Sequence, residues 1–348
     1  MGSFTHHPIL MLALLLAASS AHAQTVPSAS PTPARPPVLQ GASKTDDLSL
    51  PALPDDKSPR EIGEDEVLRV DTNLVSIPFT VLDASGKYVT DLKQSDVRVF
   101  ENSVEQRVAS FYEISQPTFV VLLLDVSTSV MRHFREIKEA AVAFTDQLRE
   151  TDYVYPVAFS GKVFPLLPRA TSDRAALREA IRNMRVVDDG KTSIYDAVQR
   201  VSDEILKKFR GRKALILFTD GEDVSSRRAK KSDNLRDAQE LDALIYTVQY
   251  PRELPIGNRQ YLSLMTPAYK DYLRRLAENS GGRYFKGDKP EKVKAAFASI
   301  AEELRRQYVV AYYAMSPLRP GQSRRVGVTV TRAGTSARTR KTFVKGKE

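Results

Sequence analysis

One stretch of the chain, Phe119 to Ser129, limits the possible folds more than any other. It begins with six apolar residues, Phe119 to Leu124, and ends with Asp125, Ser127 and Ser129. A continuous apolar run of this length is typical of a strand that is covered on both faces, as in a parallel sheet between layers of helices. The three oxygen-bearing side chains follow the carboxyl end of that strand, which is where open parallel sheets usually bind ligands.

Predicted strands and helices alternate through the residues around this stretch. Apolar residues at spacings of three and four predict helices, and short apolar runs predict strands. Helices are predicted from Phe134, from Ser172 as an N-cap, from Thr192, over 233–241, over 268–279 and up to Leu304, and strands over 119–124, 153–159, 162–166, 214–218, 243–248 and 283–286. Strands separated by helices predict an α/β fold with a doubly wound, mainly parallel sheet.

Two flanking segments, residues 66–116 and 306–348, have a different pattern. Both contain short alternating runs between Asp, Asn, Ser, Gly and Pro, which predict antiparallel strands. Gln24 to Gln116 carries 15 acidic against 9 basic residues, whereas Arg306 to Glu348 carries 1 against 10. We predict that the two segments combine into one β-sandwich, with an α/β domain of residues 117–305 inserted between them. Their opposite charges favour this pairing modestly.

The N-terminal region has the pattern of an exported protein. Ile9 to Ala18 is apolar but too short to span a bilayer, and Ala21-His22-Ala23 is a small-x-small cleavage site, so residues 1–23 are predicted to be a signal peptide. Residues 24–65 are rich in proline and are predicted to form a disordered or polyproline-like tether. We expect a periplasmic, cell-surface or secreted protein with no transmembrane segment after cleavage.

Three groups of polar residues are predicted to meet at the carboxyl edge of the sheet. They are the Asp125-x-Ser127-x-Ser129 loop, Thr192 at the start of a helix, and Thr219-Asp220-Gly221 after a later strand. The chain has no Cys, which excludes thiolate ligands. Carboxylate and hydroxyl oxygens suit a hard, six-coordinate cation such as Mg²⁺. The sequence therefore predicts a metal site of Asp125, Ser127, Ser129, Thr192 and Asp220.

This order of DxSxS, Thr and TDG elements resembles the von Willebrand factor A domain and its metal-ion-dependent adhesion site, over roughly Pro117 to Leu304. The resemblance assigns a role to each group around Mg²⁺ or Mn²⁺: Ser127 and Ser129 as direct ligands, Thr192 as a direct or water-mediated ligand, Asp125 and Asp220 as water-mediated or orienting groups. It further implies that an Asp or Glu of a protein partner completes the metal shell, and that the chain is an adhesion protein and not an enzyme. The flanking β segments are similar to those of exported bacterial proteins with this domain.

One residue departs from the family pattern. Lys191 precedes Thr192, whereas relatives often have Gly at that position. A cation so close to the site would either weaken metal binding or attract an acidic ligand, and the sequence leaves both alternatives open.

Other interpretations of the same residues also stay open. DxSxS and TDG occur as ordinary turns and helix caps, so the chain could be a structural scaffold with a degenerate metal site. It could also be a metal-dependent hydrolase, for which carboxylates are available as general bases: Asp188, Asp189, Glu222 and Asp223. Nucleotide binding is disfavoured, because Gly190-Lys191-Thr192 has Arg185 where a P-loop needs Gly.

Three further features concern the surroundings of the site. A basic cluster comprises Arg227, Arg228, Lys230 and Lys231. It is either a solvated face or a rim that attracts an acidic partner, and we do not expect the chain to bind nucleic acid. His133, the last His of the chain, is expected on an exposed helix face, with a contact at the rim of the site as the alternative. Residues 251–267 are predicted to form a long loop of the kind that often binds.

Overall fold

The computed structural model describes residues 74–250, 259–316, 319, 322–340 and 342–344. The predicted signal peptide, the predicted tether and residues 66–73 lie outside this range, and the domain boundaries stay predictions. The strands are β1 (Leu74–Asp83), β2 (Val97–Glu101), β3 (Val104–Gln106), β4 (Val108–Glu113), β5 (Phe119–Asp125), β6 (Tyr153–Phe159), β7 (Val163–Pro165), β8 (Lys213–Thr219), β9 (Leu244–Gln249), β10 (Tyr284–Lys286), β11 (Tyr308–Tyr313), β12 (Ser323–Val330), β13 (Thr335–Thr339) and β14 (Thr342–Val344). The helices are α1 (Phe134–Gln147), α2 (Arg174–Asn183), α3 (Ile194–Val201), α4 (Lys231–Glu240), α5 (Arg259–Ser280) and α6 (Pro290–Arg305).

The central sheet has β5 in its interior, in the strand order β10-β9-β8-β5-β6-β7. β5 pairs in parallel with β8 on one side and with β6 on the other, and β7 runs antiparallel at one edge. Every residue of β5 is buried, because helices cover both faces of the sheet. The prediction of a doubly wound, mainly parallel α/β sheet is confirmed.

Alternate side chains of β5 enter two separate apolar cores. Val120, Leu122 and Leu124 pack in a core that also contains Phe144 of α1 and Phe297 of α6. The intervening residues pack on the other face with α3 and α5. Burial of a large apolar side chain stabilises a fold by about 1.5–3 kcal/mol. Packing on both faces therefore fixes the position of β5 and of the polar residues that follow it.

Two predicted helix starts are wrong by one or two residues. The N-cap of α2 is Asp173 and not Ser172, because the Asp173 carboxylate accepts hydrogen bonds from the backbone N–H groups of Ala175 and Ala176. α3 begins at Ile194, after the predicted start at Thr192.

The predicted long loop, residues 251–267, is wrong in its second half. α5 begins at Arg259 and continues through Pro267. A proline removes one hydrogen bond of a helix, but burial can outweigh that loss. Tyr272, Leu273 and Leu276 of α5 lie in an apolar core and hold the helix against the sheet. Residues 251–258 lie outside the described residues.

The two flanking segments form the predicted β-sandwich. One sheet has the order β13-β1-β11-β4 and the other has the order β14-β12-β2-β3. Each sheet combines the two segments, since β1 pairs with β11 and β2 pairs with β12, both antiparallel. The core between the sheets contains Ile77, Phe79, Val99, Val310 and Val328. The predicted antiparallel β-sandwich beside the α/β sheet is confirmed.

Two arginines bind the connections between the sandwich and the α/β domain. The first connection joins β4 to β5 through residues 114–118, and the second joins the end of α6 to β11 around residues 304–307. Arg149 and Arg212 each donate to backbone carbonyl oxygens of both connections, at distances of 2.7–3.2 Å. The two connections are thereby held together at the amino edge of the central sheet.

A buried carboxylate also joins the two parts. Glu303 of α6 is 2% exposed and forms ion pairs with Arg338 of β13 and, at 3.6 Å, with Arg283. The Tyr88 hydroxyl, from the sandwich, donates to the same carboxylate at 3.1 Å. A buried charge is tolerated only when it is paired in this way. Among the described residues, no helix combines the length and the apolar character needed to cross a membrane.

Candidate metal centre

The centre begins where β5 ends. Asp125 is fully buried, and its Oδ1 accepts hydrogen bonds from the backbone N–H of Ser127 at 2.9 Å and from the Ser127 hydroxyl at 2.6 Å. The chain then enters a 3-10 turn, Thr128–His133, which returns Ser129 towards Ser127. The hydroxyl oxygens of Ser127 and Ser129 lie 2.9 Å apart. The structure therefore brings the three side chains of the DxSxS element together.

The neighbouring strand β8 adds a hydroxyl and a second carboxylate. The Thr219 hydroxyl donates to Oδ2 of Asp125 at 2.7 Å, a contact made possible by the pairing of β5 with β8. Thr219 was not among the predicted ligands, although it is the first residue of the TDG element. Asp220 follows and is 3% exposed, and Gly221 turns the chain with φ +92°, a conformation that favours glycine.

Two buried carboxylates therefore lie close together. Burial and, second to it, the nearby charge of Asp220 together raise the pKa of Asp125 to about 7, although the hydrogen bonds from Ser127 and Thr219 lower it. Both causes disfavour a second negative charge at this place. A bound cation would remove that cost, because it would neutralise both carboxylates.

Thr192 lies beside the loop that follows Asp220. Thr192 is buried, and its carbonyl oxygen accepts hydrogen bonds from the backbone N–H groups of Val224 and Ser225 at 2.8 and 3.1 Å. The next residue, Ser193, has its hydroxyl 2.8 Å from that of Ser225. Thr192 is thus tied to the chain that leaves β8, and in the described part of the structure no hydrogen bond joins it to Ser127 or Ser129.

Lys191 extends along the turn between β6 and β7. Its backbone N–H donates to Asp189 Oδ1 at 3.0 Å. Its Cβ and Cδ lie 2.8 and 2.9 Å from the point that a Cβ on Gly161 would occupy, and the residue is exposed. The stem of Lys191 therefore crosses this turn at its glycine.

The available side chains fit a hard divalent cation. Within the described part of the chain, no group of three or more His, Asp or Glu side chains is placed to hold a metal. A cation at this edge would instead depend on hydroxyl oxygens and on the two buried carboxylates. A site with so few anionic donors suits Mg²⁺, because this ion usually keeps several water ligands.

Two carboxylates considered as general bases have structural hydrogen bonds. Asp189 accepts from Lys191 and from the Ser160 hydroxyl at 3.1 Å, and Asp223 accepts from the backbone N–H groups of Tyr195 and Ser226. A third, Glu222, is buried and accepts from the Tyr269 hydroxyl at 3.0 Å. These hydrogen bonds hold each of the three carboxylates in place.

His133 is not on an exposed helix face. It ends the 3-10 turn that carries Ser129, is half-buried, and packs its ring on Tyr250 with centroids 4.3 Å apart. The expectation of an exposed helix residue is wrong, because the turn places this side chain against Tyr250, the residue that follows β9.

A family model for the von Willebrand factor type A domain matches residues 120–299, which is more than half of the chain. The chain belongs to this family. The matched range contains every predicted metal ligand and excludes the β-sandwich, so the resemblance stated from the sequence motifs is confirmed for the fold and family.

Several solved structures are similar to this von Willebrand factor type A protein. A von Willebrand factor type A protein from Catenulispora acidiphila is 13% identical, with 80% of this chain and 76% of that chain covered and a TM-score of 0.47. The domain of the type V pili tip protein Mfa5 from Porphyromonas gingivalis is 13% identical, with 55% and 96% covered and a TM-score of 0.42. Proximal thread matrix protein 1 from the mussel byssus, with a zinc-occupied MIDAS motif, is 15% identical, with 59% and 50% covered and a TM-score of 0.46. No curated protein matches the chain, and the family assignment depends on the sequence match alone.

Proposed function

We propose that the chain is an exported interaction protein that binds a partner's carboxylate through Mg²⁺ or Mn²⁺ at the candidate centre. Von Willebrand factor type A domains typically mediate protein–protein interaction or adhesion. The observation that carries the metal proposal is the arrangement of Asp125, Ser127 and Ser129 beside the buried carboxylate of Asp220. These groups are costly to bury together without a cation.

Each side chain has a distinct part in this proposal. The hydroxyls of Ser127 and Ser129 would hold the metal, and Asp125 would orient Ser127 through its two hydrogen bonds. Thr219 would fix the second oxygen of Asp125, so that this carboxylate keeps one orientation. Thr192 and Asp220 would complete the protein side of the site. A bound Mg²⁺ would supply a positive, exchangeable position for an Asp or Glu of the partner.

Metal titration tests the centre. We expect Mg²⁺ and Mn²⁺ to bind the wild-type chain in calorimetry and to raise its melting temperature, by an amount that grows with metal concentration. Asp125→Ala and Ser129→Ala should abolish or strongly weaken the response. Asp146→Ala, which removes a half-exposed carboxylate of α1, is the matched control and should respond as the wild type does. An equal, negligible response in wild type and variants would contradict the proposal and favour a structural scaffold with a degenerate site.

Export has a separate test. The sequence predicts cleavage after Ala23, so the mature chain should begin at Gln24. Fractionation of cells that express the full chain, followed by N-terminal sequencing of the recovered protein, should find this end outside the cytoplasm. An uncleaved N-terminus in the cytoplasmic fraction would contradict export without affecting the metal proposal.

A further inference from the structure

Two large apolar side chains of the α/β domain are exposed, and both lie beside the candidate metal centre. Among residues 119–305 whose side chains the structure describes, they are Met131, 54% exposed, and Val224, 58% exposed. Met131 comes two residues after Ser129 in the same 3-10 turn, and Val224 donates its backbone N–H to Thr192. Single exposed apolar residues are ordinary, but two that flank one site indicate a contact surface.

Positive charge lies next to Val224. Arg227 and Arg228 are both exposed, and neither forms an ion pair in the described part of the chain. Lys231, from the same basic cluster, differs because it pairs with Asp271 at 3.3 Å. The exposed arginines thus have charge available for a partner, and their sign complements an acidic segment.

The loop that carries these residues is held by hydrogen bonds to the start of α3. The Asp196 carboxylate accepts from the backbone N–H groups of Arg227, Arg228 and Ala229 at 2.7–3.0 Å. Asp196 in turn donates its backbone N–H to the Ser226 hydroxyl at 3.0 Å. A loop ordered before binding loses little conformational entropy when a partner docks.

We infer that the partner presents an acidic segment in which a large apolar residue lies next to the metal-binding carboxylate, with further acidic residues on the same segment. Met131 and Val224 contact the apolar side chain, and Arg227 and Arg228 attract the additional carboxylates. This inference rests on the proposed metal-dependent function and adds the chemistry that selects the partner. We call these four residues the rim.

Binding to immobilised peptides tests whether the rim selects the partner. Four twelve-residue peptides share a Gly/Ser background: one has Leu before a central Asp and two Glu after it, one replaces Leu with Ser, one replaces both Glu with Ser, and one replaces Asp with Ala. Binding of the full chain is measured by biosensor in Mg²⁺ and in EDTA. We expect the first peptide to bind about 10-fold more tightly than the second, as burial of one apolar side chain would give. Loss of both Glu should weaken binding by a smaller factor and reduce its salt dependence.

Variants of the rim identify which residues are responsible for each peptide preference. Met131→Ser with Val224→Ser should remove the preference for Leu and leave Mg²⁺-dependent binding of the Ser peptide unchanged. Arg227→Ser with Arg228→Ser should remove the preference for Glu. Two controls match these changes away from the rim: Val104→Ser, since Val104 is also 58% exposed, and Lys208→Ser with Arg210→Ser, which removes two exposed cations near the opposite edge of the sheet. Neither control should alter any preference.

The outcomes separate this inference from the proposed function. If every Asp peptide binds equally in Mg²⁺ and none binds in EDTA, the rim does not select the partner and the proposed function stands. If no peptide binds although calorimetry detects Mg²⁺, the inference is again overturned. If binding is the same in EDTA, the metal-dependent function fails, and the inference fails with it. If the Ala peptide binds as well as the Asp peptides in Mg²⁺ and not in EDTA, a Glu of the peptide can take the metal position, so the inferred arrangement of residues is overturned and the proposed function stands.

Discussion

The carboxyl and amino edges of the central sheet contain different kinds of charged group. At the carboxyl edge, Asp125 and Asp220 lie close together and buried, beside the hydroxyls of the DxSxS loop. At the amino edge, the guanidinium groups of Arg149 and Arg212 bind carbonyl oxygens of both connections to the sandwich. The first edge buries two carboxylates beside hydroxyl groups, whereas the second holds guanidinium groups whose charge is offset by carbonyl oxygens and by the buried carboxylate of Asp152.

This difference indicates a division of tasks between the edges. Groups at the amino edge have their partners within the chain, so their loss should reduce stability. Groups at the carboxyl edge are placed at an electrostatic cost, so their loss should reduce binding more than stability. Paired substitutions at the two edges can establish or refute this division.

The largest loss of stability is expected from Gly282→Ala near the amino edge. A Cβ on Gly282 would lie 2.1 Å from the carbonyl oxygen of Ile245 in β9, and neither backbone can move freely inside the sheet. We expect the free energy of unfolding to fall by about 3 kcal/mol or more in urea denaturation. The matched change at the carboxyl edge is Gly190→Ala, where φ is +63° and no atom lies within 4 Å of the new Cβ. It should cost about 1–2 kcal/mol, from backbone strain alone.

Arg212→Ala should give the next largest effect. Its guanidinium donates to Gln116 and Leu304 carbonyl oxygens and to the Gln307 side chain, and removal would leave these acceptors without their charged donor. We expect a loss of about 2–3 kcal/mol in the free energy of unfolding. Arg210→Ala removes an exposed arginine nearby and should change stability by less than about 0.5 kcal/mol. Similar losses for both arginines would argue against a specific role of the amino edge.

Asp196→Ala should have an intermediate effect, because Asp196 holds the rim loop and not a junction between domains. Three backbone N–H groups would lose their acceptor, two of them on exposed residues that water can reach. We expect a loss of about 1–2 kcal/mol and faster amide hydrogen exchange over residues 224–229. Unchanged exchange in that segment would show that other contacts order the loop.

Asp125→Asn should have the smallest effect on stability. An asparagine keeps an oxygen for the two bonds from Ser127 but loses the acceptor of the Thr219 hydroxyl, and its loss of charge offsets this by removing the repulsion from Asp220. At pH 8 without metal, the free energy of unfolding should stay within about 1 kcal/mol of the wild type or rise above it. The gain from Mg²⁺, about 2.7 kcal/mol for wild type at a concentration of 100 times Kd, should disappear. A large loss of stability without metal would show that this carboxylate is structural, like the groups of the amino edge.

Much of the fold could be predicted from local sequence patterns. The apolar run of β5 and the helical spacing of α1 each follow from side chains that are neighbours in sequence. The errors fall where a distant contact outweighs a local signal. Residues 251–267 were predicted to form a loop, yet α5 begins at Arg259 and continues through Pro267, because Leu273 and its neighbours are buried against the sheet. Ser172 is as good an N-cap as Asp173 by residue type, and the geometry of the entering chain selected Asp173.

Within the candidate centre, the contacts between neighbours in sequence could be predicted, whereas the contacts between distant residues could not. DxSxS is a local element, so the hydrogen bonds between Asp125 and Ser127 follow directly from it. The bond from Thr219 to Asp125 depends on β8 lying next to β5, although β6 and β7 come between them in the chain. Met131 and Val224 have no sequence signal, because exposure of an apolar residue is decided by what packs around it.

The sequence by itself determined a buried strand ending in Asp125, Ser127 and Ser129, and the oxygen chemistry that suits a hard cation. Tertiary structure alone decided that two carboxylates share one buried place, that Lys191 lies across the turn at Gly161, and that Met131 and Val224 are exposed. The physical reason is the distance along the chain over which each effect acts. Apolar periodicity and capping act between residues a few positions apart, whereas electrostatic coupling and exposure depend on strand order, which is set by the packing of the whole sheet.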